Sequence, residues 1–315
     1  MPTMTAIAVQ PGGTFAPIQV ERPTPGPTEV LIEVAAAGIN PVDWKTRKGQ
    51  AFNDLFDPEA PMILGWDVAG KVVEVGAGVT RFAAGDRVFG MPRFPRPAGA
   101  YAEYVVAGSR EVAGIPDGVG DVQAGALPLA VLTAWQALVD TLRIGKGDRV
   151  LIHAASGGVG HLAVQIAAAR GAQVWGTASA KNHARLRELG LHHPIDYRSE
   201  RFEDVATGMD AVLDLVGSGD NPIRSVRSLE RGGKLVVIPS PTEVPPADVL
   251  AEAGVTATWM LVEPDYAALE AVARMLGEGT LEVVVGDTRP LDRVGELHAI
   301  GEAGGPMGKL VATVA

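Results

Sequence analysis

Apolar and polar residues alternate along the first third of the chain. Val30, Ile32 and Val34 fall on one face of an extended segment, with Glu29 and Glu33 on the other, and a period of two predicts a half-buried strand. Between Gly65 and Gly90, VAGKVVEVGAGVTRFAAGDRVFG sets short β-branched runs between glycines. That is the pattern of short strands and tight turns in a partly open barrel. Residues 101–106 read as a further strand.

The pattern changes near Ile115-Pro116. Residues 121–142 are rich in Ala and Leu at helical spacing, and from there strands and helices alternate. Strands are predicted at 149–153, 173–177, 211–215, 234–238 and 255–262. Helices are predicted from the glycine-rich stretch after residue 153 to about Arg170, and at 182–189 and 223–229. Such alternation predicts an α/β, doubly wound parallel sheet. A helix at 266–277 ends on a glycine, and residues 281–285 and 310–314 return to β character. The expected organisation is a first domain over residues 1–117, completed by about 265–315, with a second over 118–264 between them.

Composition narrows the function. The net charge is −10 with no run of Lys and Arg, which argues against a nucleic-acid partner. There are no cysteines, so disulfides and thiolate metal sites are excluded. The N-terminus lacks the charged and apolar regions of a signal peptide, and the apolar run at 159–169 is too short for a membrane span. A cytoplasmic protein is expected.

The strongest chemical signal is Ala154-Ala155-Ser156-Gly157-Gly158-Val159-Gly160, which follows a predicted strand and opens a helix. Gly157 lets the backbone approach a pyrophosphate, and Gly160 lets the helix pack closely on the strand. The helix N-terminus then offers N–H groups and partial positive charge to the phosphates. The next strand ends Gly176-Thr177-Ala178-Ser179-Ala180-Lys181. It lacks the acid that bonds the ribose hydroxyls in NAD enzymes, while Ser179 and Lys181 suit a 2′-phosphate. The expected cofactor is NADP(H).

Nearly the whole chain resembles the medium-chain dehydrogenase/reductase superfamily, in its zinc-free quinone oxidoreductase branch. The segments that carry the resemblance include AAAGINPVDWKTRKG (35–49), PMILGWDVAGKVVEVGAGVTRFAAGDRVFG (61–90), PLAVLTAWQAL (128–138), IHAASGGVGHLAVQIAAARGA (152–172) and GGPMGKLV (304–311). The resemblance implies a GroES-like, partly open β-barrel domain beside a Rossmann domain, with the active site in the cleft between them. It also implies a homodimer joined through the last Rossmann strand, for which residues 255–262 are the candidate.

By resemblance, the cofactor contacts fall on Thr133, on Ser156, Gly157, Gly158 and Val159, on Ser179, Lys181 and Tyr197, on Leu215 and Val216, on Ile238 and Pro239, and on Lys309. Zinc-dependent relatives carry Cys and His where Asn40 and Trp66 stand, so no metal is expected. Without a Lewis acid, alcohol oxidation becomes harder, and the expected substrate is a small electron-poor acceptor, a quinone or an α,β-unsaturated carbonyl. Lys45 is a candidate donor to the developing oxyanion. Asp43 either orients Lys45 or anchors the loop, and Asn40 holds the nicotinamide ribose or the substrate. Trp44 and Trp66 are candidates for flat apolar walls.

Overall fold

The structure, a computed structural model, describes residues 2–238 and 243–314. The chain divides into two compact units. The first begins with β1 (Thr3–Val9), β2 (Phe15–Glu21), β3 (Glu29–Ile39), α1 (Pro41–Arg47), β4 (Val68–Val75), β5 (Arg87–Gly90), β6 (Tyr104–Gly108), β7 (Val112–Gly114) and α2 (Asp121–Gly125). Helix α3 (Pro128–Trp135) carries the chain across the boundary, which falls after Leu132.

The second unit contains β8 (Arg149–Ile152), α4 (Gly160–Ala169), β9 (Gln173–Ala178), α5 (His183–Glu188), β10 (His193–Asp196), α6 (Phe202–Val205), β11 (Met209–Asp214), α7 (Asn221–Ser228), β12 (Leu229–Val237), α8 (Ala247–Ala253) and β13 (Thr256–Trp259). The first unit is completed by α9 (Tyr266–Gly277), β14 (Val285–Pro290), α10 (Val294–Glu302) and β15 (Lys309–Thr313).

In the second unit the six strands run parallel in the order β10-β9-β8-β11-β12-β13. Numbered from β8, that is the doubly wound order 3-2-1-4-5-6. Strand β13 is an edge strand, so one row of its backbone groups has no partner within this sheet. The core holds Leu151, Ile195, Phe202, Met209, Val212, Val226, Leu235 and Val237, all nearly inaccessible to solvent.

The first unit is built on a sheet ordered β14-β15-β3-β4-β5-β7, with β6 also paired to β3 and with β1 and β2 as a separate antiparallel pair. Val30, Ile32 and Val34 are buried together with Val68, Val72, Val88 and Val105. Each such side chain contributes about 1.5–3 kcal/mol.

Two expectations shift. The break expected near Ile115-Pro116 lies further on, because α2 packs on β3 closely enough that a Cβ at Gly125 would stand 2.9 Å from that of Ala36. The strand expected at 281–285 forms instead at Val285–Pro290. Residues 280–282 join the second unit, and the Gln165 amide satisfies the Glu282 backbone there. Its Nε2 donates to the Glu282 carbonyl at 2.8 Å, and its Oε1 accepts the Glu282 N–H at 2.8 Å. A side chain from α4 thus supplies the hydrogen bonds that a strand neighbour would have made. Among the described residues, no helix is long and apolar enough to cross a membrane.

Candidate active site

The candidate residues fall into two groups, one in each unit. In the first unit, Asn40 precedes α1, whose first residue is proline, a residue suited to that position because its missing N–H is not needed. Asp43 Oδ2 accepts the Asn40 backbone N–H at 2.7 Å, so Asp43 anchors the start of the helix. The antiparallel register sets Leu310 opposite Ile39, and its next step brings Lys309 beside Asn40.

The side chains of Asn40, Asp67 and Lys309 form a closed network with no more than 3% of any of the three residues exposed. The Lys309 ammonium donates to the Ile39 carbonyl at 3.0 Å and to Asn40 Oδ1, and lies 3.5 Å from Asp67 Oδ2. Asn40 Nδ2 donates to the same Oδ2 at 2.8 Å, and the Leu129 N–H donates to Asp67 Oδ1 at 2.7 Å. Burial pushes Asp67 up and Lys309 down, and each charge opposes the other's shift. Burial also pushes Asp43 up to about 7, against the Asn40 N–H and with the Asp67 charge adding to the rise. Asp43 Oδ1 has no hydrogen bond of normal geometry, although the Tyr101 hydroxyl stands close enough to hold the carboxyl down. That hydroxyl lies 3.1 Å from His298 Nε2.

Lys45 is partly buried on the last turn of α1, and burial lowers its pKa. The two tryptophans do not form one wall. Trp44 lies edge-on to His298, and a Cβ at Gly301 would stand 2.7 Å from its ring, so it packs on α10. Trp66 is completely buried and its Nε1 donates to the Arg96 carbonyl at 2.8 Å. It packs edge-on with Phe56 and Phe94, and Phe94 with Phe52. Trp66 is therefore the hub joining two loops, not an exposed surface. Lys309, read from the sequence as a cofactor contact, directs its ammonium at three acceptors of its own unit.

In the second unit, residues 153–159 join β8 to α4. A Cβ at Gly160 would stand 2.2 Å from the Ala154 carbonyl oxygen, and one at Gly176 would stand 2.8 Å from Ala155 Cβ. Small residues therefore close the turn tightly, while Ser156, Gly157, Gly158 and Val159 remain partly exposed at the start of a ten-residue helix. This cradle fits the phosphates of a dinucleotide. Ser179 sits at the end of β9, with Lys181 exposed just beyond it. Tyr197 follows β10 and is 57% exposed. Asp214 Oδ1 accepts the N–H groups of Val216 and Gly217 at 2.8 and 3.0 Å, which shapes the turn holding Leu215 and Val216. Thr133 is buried on α3. Ile238 follows β12, and Pro239 lies outside the described residues.

Asp67, Tyr101 and His298 are not among the site residues read from the sequence. The missing side chain of Gly38 leaves room for the buried carboxylate, since a Cβ there would stand 2.6 Å from Asp67 Oδ2.

Residues 26–117 match the alcohol dehydrogenase GroES-like domain, and residues 189–311 match the zinc-binding dehydrogenase family model. The chain is 33% identical over 305 residues to a chloroplast envelope quinone oxidoreductase homolog of Arabidopsis thaliana, covering 93% of this chain and 92% of that one. The quinone oxidoreductase structure from Coxiella burnetii superposes with a TM-score of 0.91 at 35% identity, covering 100% of both chains. The structure of CurK enoyl reductase does so with a TM-score of 0.89 at 25% identity, again over 100% of both. Quinone oxidoreductases of this family bind a nicotinamide cofactor, and the α/β fold with its separate GroES-like unit is theirs. The chain is an oxidoreductase and belongs to the quinone oxidoreductase branch of the medium-chain dehydrogenase/reductase superfamily.

Proposed function

We propose that the protein is an NADPH-dependent, zinc-free reductase that delivers a hydride to a quinone or an α,β-unsaturated carbonyl. The observation that carries the cofactor choice is the end of β9. Ser179 and Lys181 stand where an NAD enzyme carries an acid, so this strand end puts no carboxylate against a 2′-phosphate and supplies a cation that attracts it. When bound, the nicotinamide supplies the hydride.

The donor set of the first unit does not fit zinc. The chain has no cysteine, and Asn40 and Trp66 offer none of zinc's usual ligand atoms. Asp67 is bonded to Asn40, Leu129 and Lys309, and among the described residues no three His, Asp or Glu side chains gather to hold a metal. Charge developing on the acceptor is met instead by hydrogen-bond donors. Asn40 offers an amide N–H, and Lys45, its ammonium made more acidic by burial, offers a proton. The unpaired edge of β13 and its neighbour Leu261, with Trp259 41% and Leu261 36% exposed, support a homodimer through that edge.

The test follows NADPH and NADH oxidation at matched concentrations with a naphthoquinone, an enone, a 2-alkenal and a saturated ketone. Turnover of quinone or enone with NADPH, and little with NADH, is expected. Tight NADPH binding without turnover of any acceptor would reject a general reductase. It would favour a narrowly specific enoyl reductase, the reading that the CurK likeness supports, or a non-catalytic NADPH-binding protein.

A further inference from the structure

Ala154 opens the phosphate loop in the left-handed region, at φ 48°. That conformation is costly for a residue with a Cβ and free for glycine. Its carbonyl accepts the Gly157 N–H at 2.8 Å, so its torsion sets the path of the turn. Its own N–H donates to Thr177 Oγ1 at 3.1 Å, a side chain on β9.

The bonds behind Thr177 form a chain, and one direction through it satisfies each member. The Ser225 hydroxyl donates to the Asn221 carbonyl at 2.8 Å. Ser225 Oγ, 3.0 Å from His153 Nε2, therefore accepts from the imidazole. That leaves His153 Nδ1, 3.3 Å from Thr177 Oγ1, to accept the threonine hydrogen. Thr177 in turn presents its oxygen to the Ala154 N–H. No more than 4% of His153, Thr177 or Ser225 is exposed, so losing a partner there costs the desolvation of the group left behind. The relay starts on α7, passes the ends of β8 and β9, and stops at the strained residue of the phosphate loop.

The geometry points to Thr177, braced by His153 and Ser225, as the positioning residue that holds Ala154 in its left-handed turn and so presets the phosphate loop for a nicotinamide dinucleotide. This rests on reading that loop as the dinucleotide site.

Binding of NADPH and of NADH, followed by nicotinamide fluorescence on the intact chain, tests it without turnover. T177V keeps the shape of the side chain and removes both bonds. It is expected to raise Kd about tenfold, the factor that about 1.4 kcal/mol represents. T177S keeps the hydroxyl and is expected to stay within about twofold of wild type. The deciding variant is A154G in the T177V background. Glycine needs no help to hold φ 48°, so most of the lost affinity should return. A folded T177V with wild-type affinity overturns the inference. So does a weakened T177V that A154G fails to rescue, because Thr177 would then act through packing. If T177V does not fold, S225A carries the test: weaker binding supports the relay and unchanged Kd rejects it. A wild-type chain that binds neither dinucleotide removes the site reading itself, a result distinct from any of these.

Discussion

The Lys309 ammonium donates to the side-chain oxygen of Asn40, and this contact decides which way round the carboxamide stands. An ammonium can only donate, so the oxygen faces inward. Asp67 accepts one Nδ2 hydrogen at 2.8 Å. What Asn40 can still offer is a second N–H, made a stronger donor by the charge on its oxygen. A ligand atom meeting Asn40 must therefore be a hydrogen-bond acceptor, which suits a ribose oxygen or a developing oxyanion.

Removing the ammonium should be costly. K309M leaves the Asp67 carboxylate buried with its charge uncompensated, and the expected loss is about 3–5 kcal/mol. In the double variant K309M/D67N, the carboxamide that replaces the Asp67 carboxylate can still accept from the Leu129 N–H. Asn40 is then free to turn over and accept from the N–H of that new carboxamide. Part of the loss should return. Urea denaturation of wild type, both single variants and the double variant measures this as a coupling energy, and a double variant no more stable than K309M would show that the pair is not the source.

Two buried groups beside Tyr101 should give stability opposite dependences on pH. The Asp43 carboxyl is raised from 3.8 to about 7, so the folded chain keeps a proton that the unfolded chain releases. Stability from this group is full at low pH and is lost as pH rises from about 4 through 7. Burial lowers His298 from 6.5 to about 3, with Arg47 adding to the fall and Glu302 opposing it. Its contribution is full above 6.5 and is lost as pH falls toward 3. Each amounts to roughly 4 kcal/mol in principle, so they largely offset one another in wild type between about pH 4 and 6.5. D43N, which can still accept the Asn40 N–H, should gain stability with rising pH relative to wild type. H298Q should do the reverse. Denaturation midpoints at pH 4.5 and 6.5 (about the ends of the shared window) read both slopes, and identical slopes in all three proteins would refute the assignment.

Gly38 should tolerate no side chain. A Cβ there would lie 2.5 Å from the Gly125 carbonyl oxygen and 2.6 Å from Asp67 Oδ2. G38A is expected to lose about 1–3 kcal/mol and to raise KM or lower kcat through displacement of Asp67. A thermal melt unchanged from wild type would show that the loop yields freely.

What the sequence disclosed and what it hid follow from how local each signal is. The alternating strands and helices of the doubly wound sheet were legible because each strand, turn and helix carries its own pattern within a few residues. The loop from Ala154 to Gly160 was legible for the same reason. The strand at 281–285 was misplaced because its partner is the Gln165 side chain, more than a hundred residues away. Trp66 read as a wall because an aromatic residue in a loop shows nothing of the Phe56 and Phe94 rings that enclose it. The contacts of His153 with Thr177 and Ser225 were hidden because they join residues 24 and 72 positions away, which no spacing rule encodes.

The last prediction concerns which dinucleotide is preferred. Ser179 ends β9 with its side chain largely buried, and Lys181 follows in an exposed turn. S179D would place a carboxylate at this strand end. It can accept from the two ribose hydroxyls of NADH, and it meets the 2′-phosphate of NADPH with like charge. The two effects act on different cofactors, so the informative quantity is the ratio of their dissociation constants. The NADPH preference should fall by about tenfold or more, the equivalent of one repulsive contact of roughly 1.4 kcal/mol. K181M should weaken NADPH alone, and less, because an exposed ammonium acts through water and is screened by salt. A ratio that stays constant in both variants would mean that the 2′ position is read elsewhere on the unit, and Tyr197 with Arg198, whose guanidinium lies 5.7 Å from the tyrosine ring centre, would be the next place to look.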